Sequence, residues 1–233
     1  MLPYLIKSKL AAGLVEADVN TNTQPVIGIV SQAVPEALKD KPEFAKYNSY
    51  VMADYVQFVE GSGARAIPIV DTETDEDTLA KLSKIDGVLF PGGGDTGAYK
   101  TKARYVYDQA IKKNDSGEYF PLWGICLGFE FLAEFASDAG SDLLSKLQSH
   151  HVSITIKFEG DPAETKMFHD AGDKAKLFEQ ETFAFMSHSW GVDPEKFKSD
   201  KGLSEMFTLT STSHDDEYNS TFASTMESPK YPF

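Results

Sequence analysis

Through the first 140 residues the chain alternates short unbroken apolar runs with longer stretches whose apolar positions recur three and four apart. The runs are "PVIGIV" (25–30), "ARAIPIV" (64–70), "DGVLFPGGG" (86–94) and "YFPLWGIC" (119–126). They are short and apolar and lie close to glycine or proline, a pattern that predicts strands buried on both faces. Between the first two, Phe44, Tyr47, Val51, Tyr55, Phe58 and Val59 fall on one helical face, and Gly61 and Gly63 stop it. This stripe predicts one amphipathic helix packed on a core. Segment 75–85 opens with Asp75, Glu76 and Asp77, an acidic first turn suited to a helix N-terminus. Further helices are predicted around Tyr99–Lys113 and from Leu127.

Strand–helix–strand repetition implies a parallel sheet covered on both sides, an α/β fold whose sites form at the carboxyl ends of strands. Two glycine-bearing turns fall there, "PGGGD" (91–95) and "GICLG" (124–128). Beyond about residue 140 the texture changes. In "HHVSITIKF" (150–158), Val152, Ile154, Ile156 and Phe158 alternate with polar residues. "TFAFMSHSWGV", "MFTLTSTS" and "TFASTME" are similar strand-like runs, which predict antiparallel strands added to the sheet. "STSHDDEYNS" (211–220) reads as a polar loop.

A length of 233 residues suits one large domain, expected over 25–233 after an N-terminal extension at 1–24. That extension has an Ala17–Asp18 junction resembling a cleavage site, but Lys7 and Lys9 interrupt its apolar run. With 36 acidic against 22 basic residues the formal charge is −14, so nucleic acid is not an expected partner. No apolar run of membrane-spanning length occurs. Acceptor triplets for N-glycosylation begin at Asn114 and Asn219. His169 and Asp170 have no second histidine or cysteine nearby, and neither a metal nor a cofactor is expected.

The single cysteine is the candidate to carry chemistry, the plainer reading being a small buried core residue. In Gly124-x-Cys126-x-Gly128 it lies between a buried strand and a helix, the arrangement of a nucleophile elbow. Glycines two residues away leave room for a sharp turn that lifts Sγ above the sheet. A helix N-terminus behind it favours the thiolate and predicts a lowered pKa. The backbone N–H of Leu127 and one from the Gly92, Gly93, Gly94 turn are placed to receive the oxyanion of a tetrahedral intermediate. Glu130, four residues on, lies on the same helical face.

At these residues the chain resembles the γ-glutamyl hydrolase family, the cysteine-dependent branch of the class I glutamine amidotransferase-like fold. The resemblance is carried by "FPLWGICLGFE", "GVLFPGG", "VEGSGARAIPI", "PVIGIVSQ" and "STMESPKYPF". It implies a three-layer, flavodoxin-like domain and hydrolysis of folyl-poly-γ-glutamates through a thioester on Cys126. It also implies His188 and Trp190 of "SHSWG" as substrate contacts, a homodimer, and a lysosomal, vacuolar or secreted setting; the broken leader leaves the cytoplasm open. Lys100, Lys102 and Arg104, after the glycine turn, are candidates to hold substrate carboxylates. In the family the segment after "KYPF" continues into a "GVQWHPE"-type strand, whose histidine is the general base, and a C-terminal helix. The five histidines here, 150, 151, 169, 188 and 214, lack that context. The expectation is therefore a hydrolase with little activity alone. A non-catalytic binder of glutamyl ligands and a glutaminase of the amidotransferase type stay open as alternatives.

Overall fold

A computed structural model describes residues 23–147 and 149–233. The leader-like segment with its Ala17–Asp18 junction lies outside the described residues. In chain order, β1 (Val26–Val30) precedes a short hairpin of β2 (Gln32–Ala33) and β3 (Ser49–Tyr50) that encloses α1 (Glu36–Lys39). Then follow α2 (Ala53–Gly61), β4 (Arg65–Ile69), α3 (Asp75–Leu82), β5 (Gly87–Phe90), α4 (Ala98–Asp115), β6 (Leu122–Gly124) and α5 (Leu127–Ala136).

The central sheet has the order β4-β1-β5-β6 with all pairs parallel. Its faces separate by the period-two alternation of strand side chains. Val30, Val88, Phe90 and Leu122 join the core formed with α3, α4 and α5, while Ile29 and Leu89 pack with Val59 of α2 and with Tyr55. Both faces are thus covered, as continuous apolar strands require. β1 lies between β4 and β5, so the chain leaves it first to one side and then to the other. That topological switch point opens a crevice at the carboxyl ends of β1 and β5, the usual place for a site in such sheets.

The second half contains β7 (Leu144–Lys146), β8 (Val152–Ile154), β9 (Lys157–Phe158), α6 (Leu177–Gln180), β10 (Ala184–Met186) and β11 (Trp190–Val192). After these come α7 (Pro194–Ser199), α8 (Lys201–Met206), β12 (Thr208–Asp215) and β13 (Ser220–Glu227). The antiparallel strands pair among themselves, as β13-β12-β9, β10-β8 and β11-β7. Residues 150–158 therefore form two strands with different partners, and the polar stretch predicted as a loop extends β12 as far as Asp215.

The long helix expected over 44–59 is absent. α2 begins only at Ala53, and Ser49–Tyr50 is drawn into the hairpin with Gln32–Ala33. The Ser49 hydroxyl also bonds Asp71, which in turn accepts from Ser31. These tertiary bonds override the helical spacing. Phe44 and Tyr47 are consequently exposed rather than core.

Candidate active site

Cys126 stands between the end of β6 and the start of α5 at φ 55° and ψ −115°. A non-glycine residue pays for this left-handed geometry only where its surroundings impose it. Here the flanking glycines are obligatory. A Cβ on Gly124 would lie 2.6 Å from the Gly128 carbonyl oxygen, and one on Gly128 would lie 2.0 Å from that of Phe90. The elbow expected from the sequence is present, and its cysteine is exposed.

The turn after β5 faces the elbow. Its consecutive peptide groups are held by side chains from three elements. The Tyr99 hydroxyl donates to the Pro91 carbonyl at 2.7 Å, and the Gly92 N–H donates to the Tyr55 hydroxyl at 2.8 Å. The Gln32 amide Nε2 donates to the Gly92 carbonyl at 2.7 Å. Asp95 ties the far side of the turn to the Ala33 N–H at 3.0 Å. A Cβ on Gly92 would lie 2.8 Å from that of Cys126, so the turn and the elbow are in direct contact. The sequence reading gave none of these three a role at the site: Gln32 only closes the "PVIGIVSQ" segment, Tyr55 lies on the helical stripe and Tyr99 opens a predicted helix. The available signal for Gln32 was a polar residue just past the carboxyl end of a buried strand.

The N–H groups of Gly93 and Leu127 both face the Cys126 sulfur and lower its pKa. They are outweighed by desolvation and then by the Glu130 carboxylate, so the thiol is pushed up from its ordinary value. This corrects the expectation of a lowered pKa. The sulfur is reachable by solvent but lies on the floor of a concave site, where surrounding protein still disfavours the anion. Glu130 is itself buried, and burial followed by the charge of Glu134 raises its pKa to about 7.

Above the elbow a cleft of about 680 Å³ is lined by Cys126, Glu130, Trp123, Phe58, His188, Trp190 and Phe222. His188 and Trp190 are thus on the wall of the cleft that contains the cysteine. His188 shares a 2.9 Å hydrogen bond between Nδ1 and the Trp190 carbonyl, and its ring meets Phe222 edge-on with centroids 4.6 Å apart. A carbonyl only accepts, so Nδ1 carries the proton and Nε2 is left as an acceptor. Burial lowers the His188 pKa and favours this neutral form.

The cationic candidates are not brought to the cleft. Lys102 is buried, and its ammonium donates to the Glu73 carbonyl, Asp75 and the Thr78 hydroxyl at 2.9–3.0 Å. Arg104 engages Asp108 and the Phe135 carbonyl, and Lys100 pairs with Glu134. All three are on α4, which packs against α3 and α5 on the other side of the sheet from α2. Among the described residues no group of three or more His, Cys, Asp or Glu is arranged to hold a metal, and no helix is long and apolar enough to cross a membrane.

An exposed cysteine with positive φ thus stands at a strand-to-helix corner of this α/β protein, faced by two backbone N–H groups. The family model for Peptidase C26 matches residues 25–169, and the chain belongs to that family. It is 33% identical over 226 residues to the probable γ-glutamyl hydrolase 3 of Arabidopsis thaliana, covering 93% of this chain and 63% of that protein. γ-Glutamyl hydrolase B of Dictyostelium discoideum is 32% identical over 223 residues, with 92% of this chain and 62% of the relative covered. The human γ-glutamyl hydrolase is 32% identical over 217 residues, with 91% and 66% covered. The chain thus spans a little under two thirds of the length of these relatives. Among solved structures, the glutaminase domain of Trypanosoma brucei CTPS with bound acivicin superposes with a TM-score of 0.58 at 12% identity, over 90% of this chain and 83% of that one. That likeness establishes the class I glutamine amidotransferase-like fold.

Proposed function

We propose that the chain is a cysteine-dependent hydrolase of γ-glutamyl bonds, acting on folyl-poly-γ-glutamates through a thioester on Cys126. The observation that carries this reading is the convergence of the Gly93 and Leu127 N–H groups on the sulfur of an elbow cysteine. The Cys126 thiolate attacks the γ-carbonyl carbon, forming a C–S bond. The two N–H groups then receive the oxyanion, each worth on the order of 3 kcal/mol in the transition state. Collapse breaks the C–N bond, the leaving amine takes a proton, and water later cleaves the thioester. His188 and Trp190 contact the substrate from the cleft wall. Residues 25–233 form one domain in this reading, supported by relatives that match more than nine tenths of the chain.

A low rate of turnover is part of this proposal. Among the described residues no histidine is hydrogen-bonded to Cys126; His169, His188 and His214 bond Lys166, Trp190 and Thr221 instead. Missing acid–base assistance lowers rates by roughly 10²–10⁴. The setting proposed is lysosomal, vacuolar or secreted, and the assembly a homodimer. Asn219 is exposed at the β12–β13 turn, whereas Asn114 is tied to Ala110 and Phe120.

The test is chromatography of pteroyl-oligo-γ-glutamates incubated with the chain. Slow release of glutamate or shorter folates, abolished by Cys126→Ala, is expected. Release that survives Cys126→Ala, or no release even after prolonged incubation at high enzyme concentration, contradicts the proposal.

A further inference from the structure

The geometry points to Gln32 as a positioning residue for the chemistry at Cys126, holding the Gly92–Gly93 peptide so that the Gly93 N–H is turned toward the sulfur. A trans peptide is one rigid plane with its C=O and N–H on opposite edges, so fixing the oxygen fixes the direction of the hydrogen. Gly92 supplies the oxygen and Gly93 the hydrogen. Gln32 donates to the first at 2.7 Å, and the second faces Cys126. With glycine on both sides the peptide has little steric resistance to flipping. A flipped peptide would direct a carbonyl lone pair at the thiolate and withdraw one of the two oxyanion donors.

Gln32 is suited to prevent this. Its side chain is 3% exposed, and its backbone is paired with Tyr50. Its amide fits so closely that a Cβ on Gly93 would lie 1.8 Å from Oε1. The bond also bridges the switch point, from the end of β1 to the end of β5. Tyr55 and Tyr99 fix the neighbouring groups, the Gly92 N–H and the Pro91 carbonyl. Among the described residues, only Gln32 is hydrogen-bonded to the carbonyl of the peptide whose hydrogen reaches the sulfur.

The proposal rests on Cys126 being the nucleophile, and its test separates the two ideas. Gln32→Glu replaces the amide with a carboxyl that, once ionised, can only accept, which favours the flipped peptide at the pH where it is charged. Gln32→Met keeps the length and removes the hydrogen bond without adding charge. Each folded protein is titrated with iodoacetamide across pH and acylated with p-nitrophenyl acetate, whose carbonyl oxygen must enter the oxyanion site. In Gln32→Glu the alkylation profile should move to higher pH, and acylation should slow by about 10²–10³, the cost of one lost donor. Gln32→Met should slow acylation by about tenfold, an intermediate loss. A role confined to stability would lower the unfolding midpoint and leave the alkylation profile in place. Wild-type profiles and acylation rates in Gln32→Met, with or without a folded Gln32→Glu, overturn the proposal. If the wild type forms no acyl-enzyme, the hydrolase reading fails, and the alkylation profiles alone decide about Gln32.

Discussion

Glu130 stands one helical turn beyond Cys126, its N–H bonded to the Cys126 carbonyl at 3.0 Å, and its carboxylate opposes ionisation of the thiol. The pair sets the pH behaviour of the site. Glu130 titrates at about 7, below the raised thiol, so it is already charged when Cys126 loses its proton. Glu130→Gln should therefore shift alkylation of Cys126 to lower pH and raise its rate at pH 8. An unchanged pH–rate profile would show that the two groups are not coupled.

The same carboxyl makes a prediction about stability. Its folded pKa of about 7 lies above the ordinary 4.5, so the folded state holds the proton more tightly than the unfolded chain does. Its contribution is fully present below pH 4.5 and is lost as pH rises through 7. At 1.36 kcal/mol per unit the loss reaches at most about 3 kcal/mol. Urea unfolding of wild type and Glu130→Gln, compared at pH 5 and pH 8, should show the variant gaining relative stability at the higher pH. A difference independent of pH contradicts the assignment.

Lys102 is a stability residue in this structure. Lys102→Ala leaves the Thr78 hydroxyl and the Glu73 carbonyl without their buried donor. The expected cost is about 2–4 kcal/mol, with no change in the rate or pH profile of Cys126 alkylation. Charge reversal that altered affinity for long glutamate chains without lowering stability would restore Lys102 to the substrate site.

What the sequence made legible follows from how local each signal was. The four parallel strands and the elbow are written in contiguous runs, and "GICLG" contains its own steric explanation in Gly124 and Gly128. The helix expected over 44–59 failed because Ser49 and Tyr50 answer to Gln32, Ala33 and Asp71, partners far away in the chain. Spacing cannot register such bonds. The same distance hid the supports of the glycine turn, since Gln32, Tyr55 and Tyr99 meet residues 91 and 92 only after folding. Lys102 and Arg104 followed the turn in sequence, yet the helix carrying them directs both to other partners. The raised thiol pKa was also out of reach, because the elbow motif shows the helix N-terminus but not the depth of the floor.

The elbow itself is open to a direct structural test. Gly128→Ala places a methyl group 2.0 Å from the Phe90 carbonyl oxygen, so one backbone or the other must shift. It should cost about 2–4 kcal/mol or prevent folding. A variant with wild-type unfolding and wild-type thiol reactivity would mean the corner is looser than described.

The central claim is that Cys126 is a nucleophile presented to γ-glutamyl groups. The most direct measurement is labelling with 6-diazo-5-oxonorleucine, a γ-glutamyl diazoketone that loses nitrogen as a thiol forms a thioether with it, followed by intact-mass analysis and peptide mapping. The predicted result is a single adduct on Cys126, slowed by added poly-γ-glutamate and absent from Cys126→Ala. An unlabelled Cys126, or labelling that poly-γ-glutamate does not slow, would contradict it.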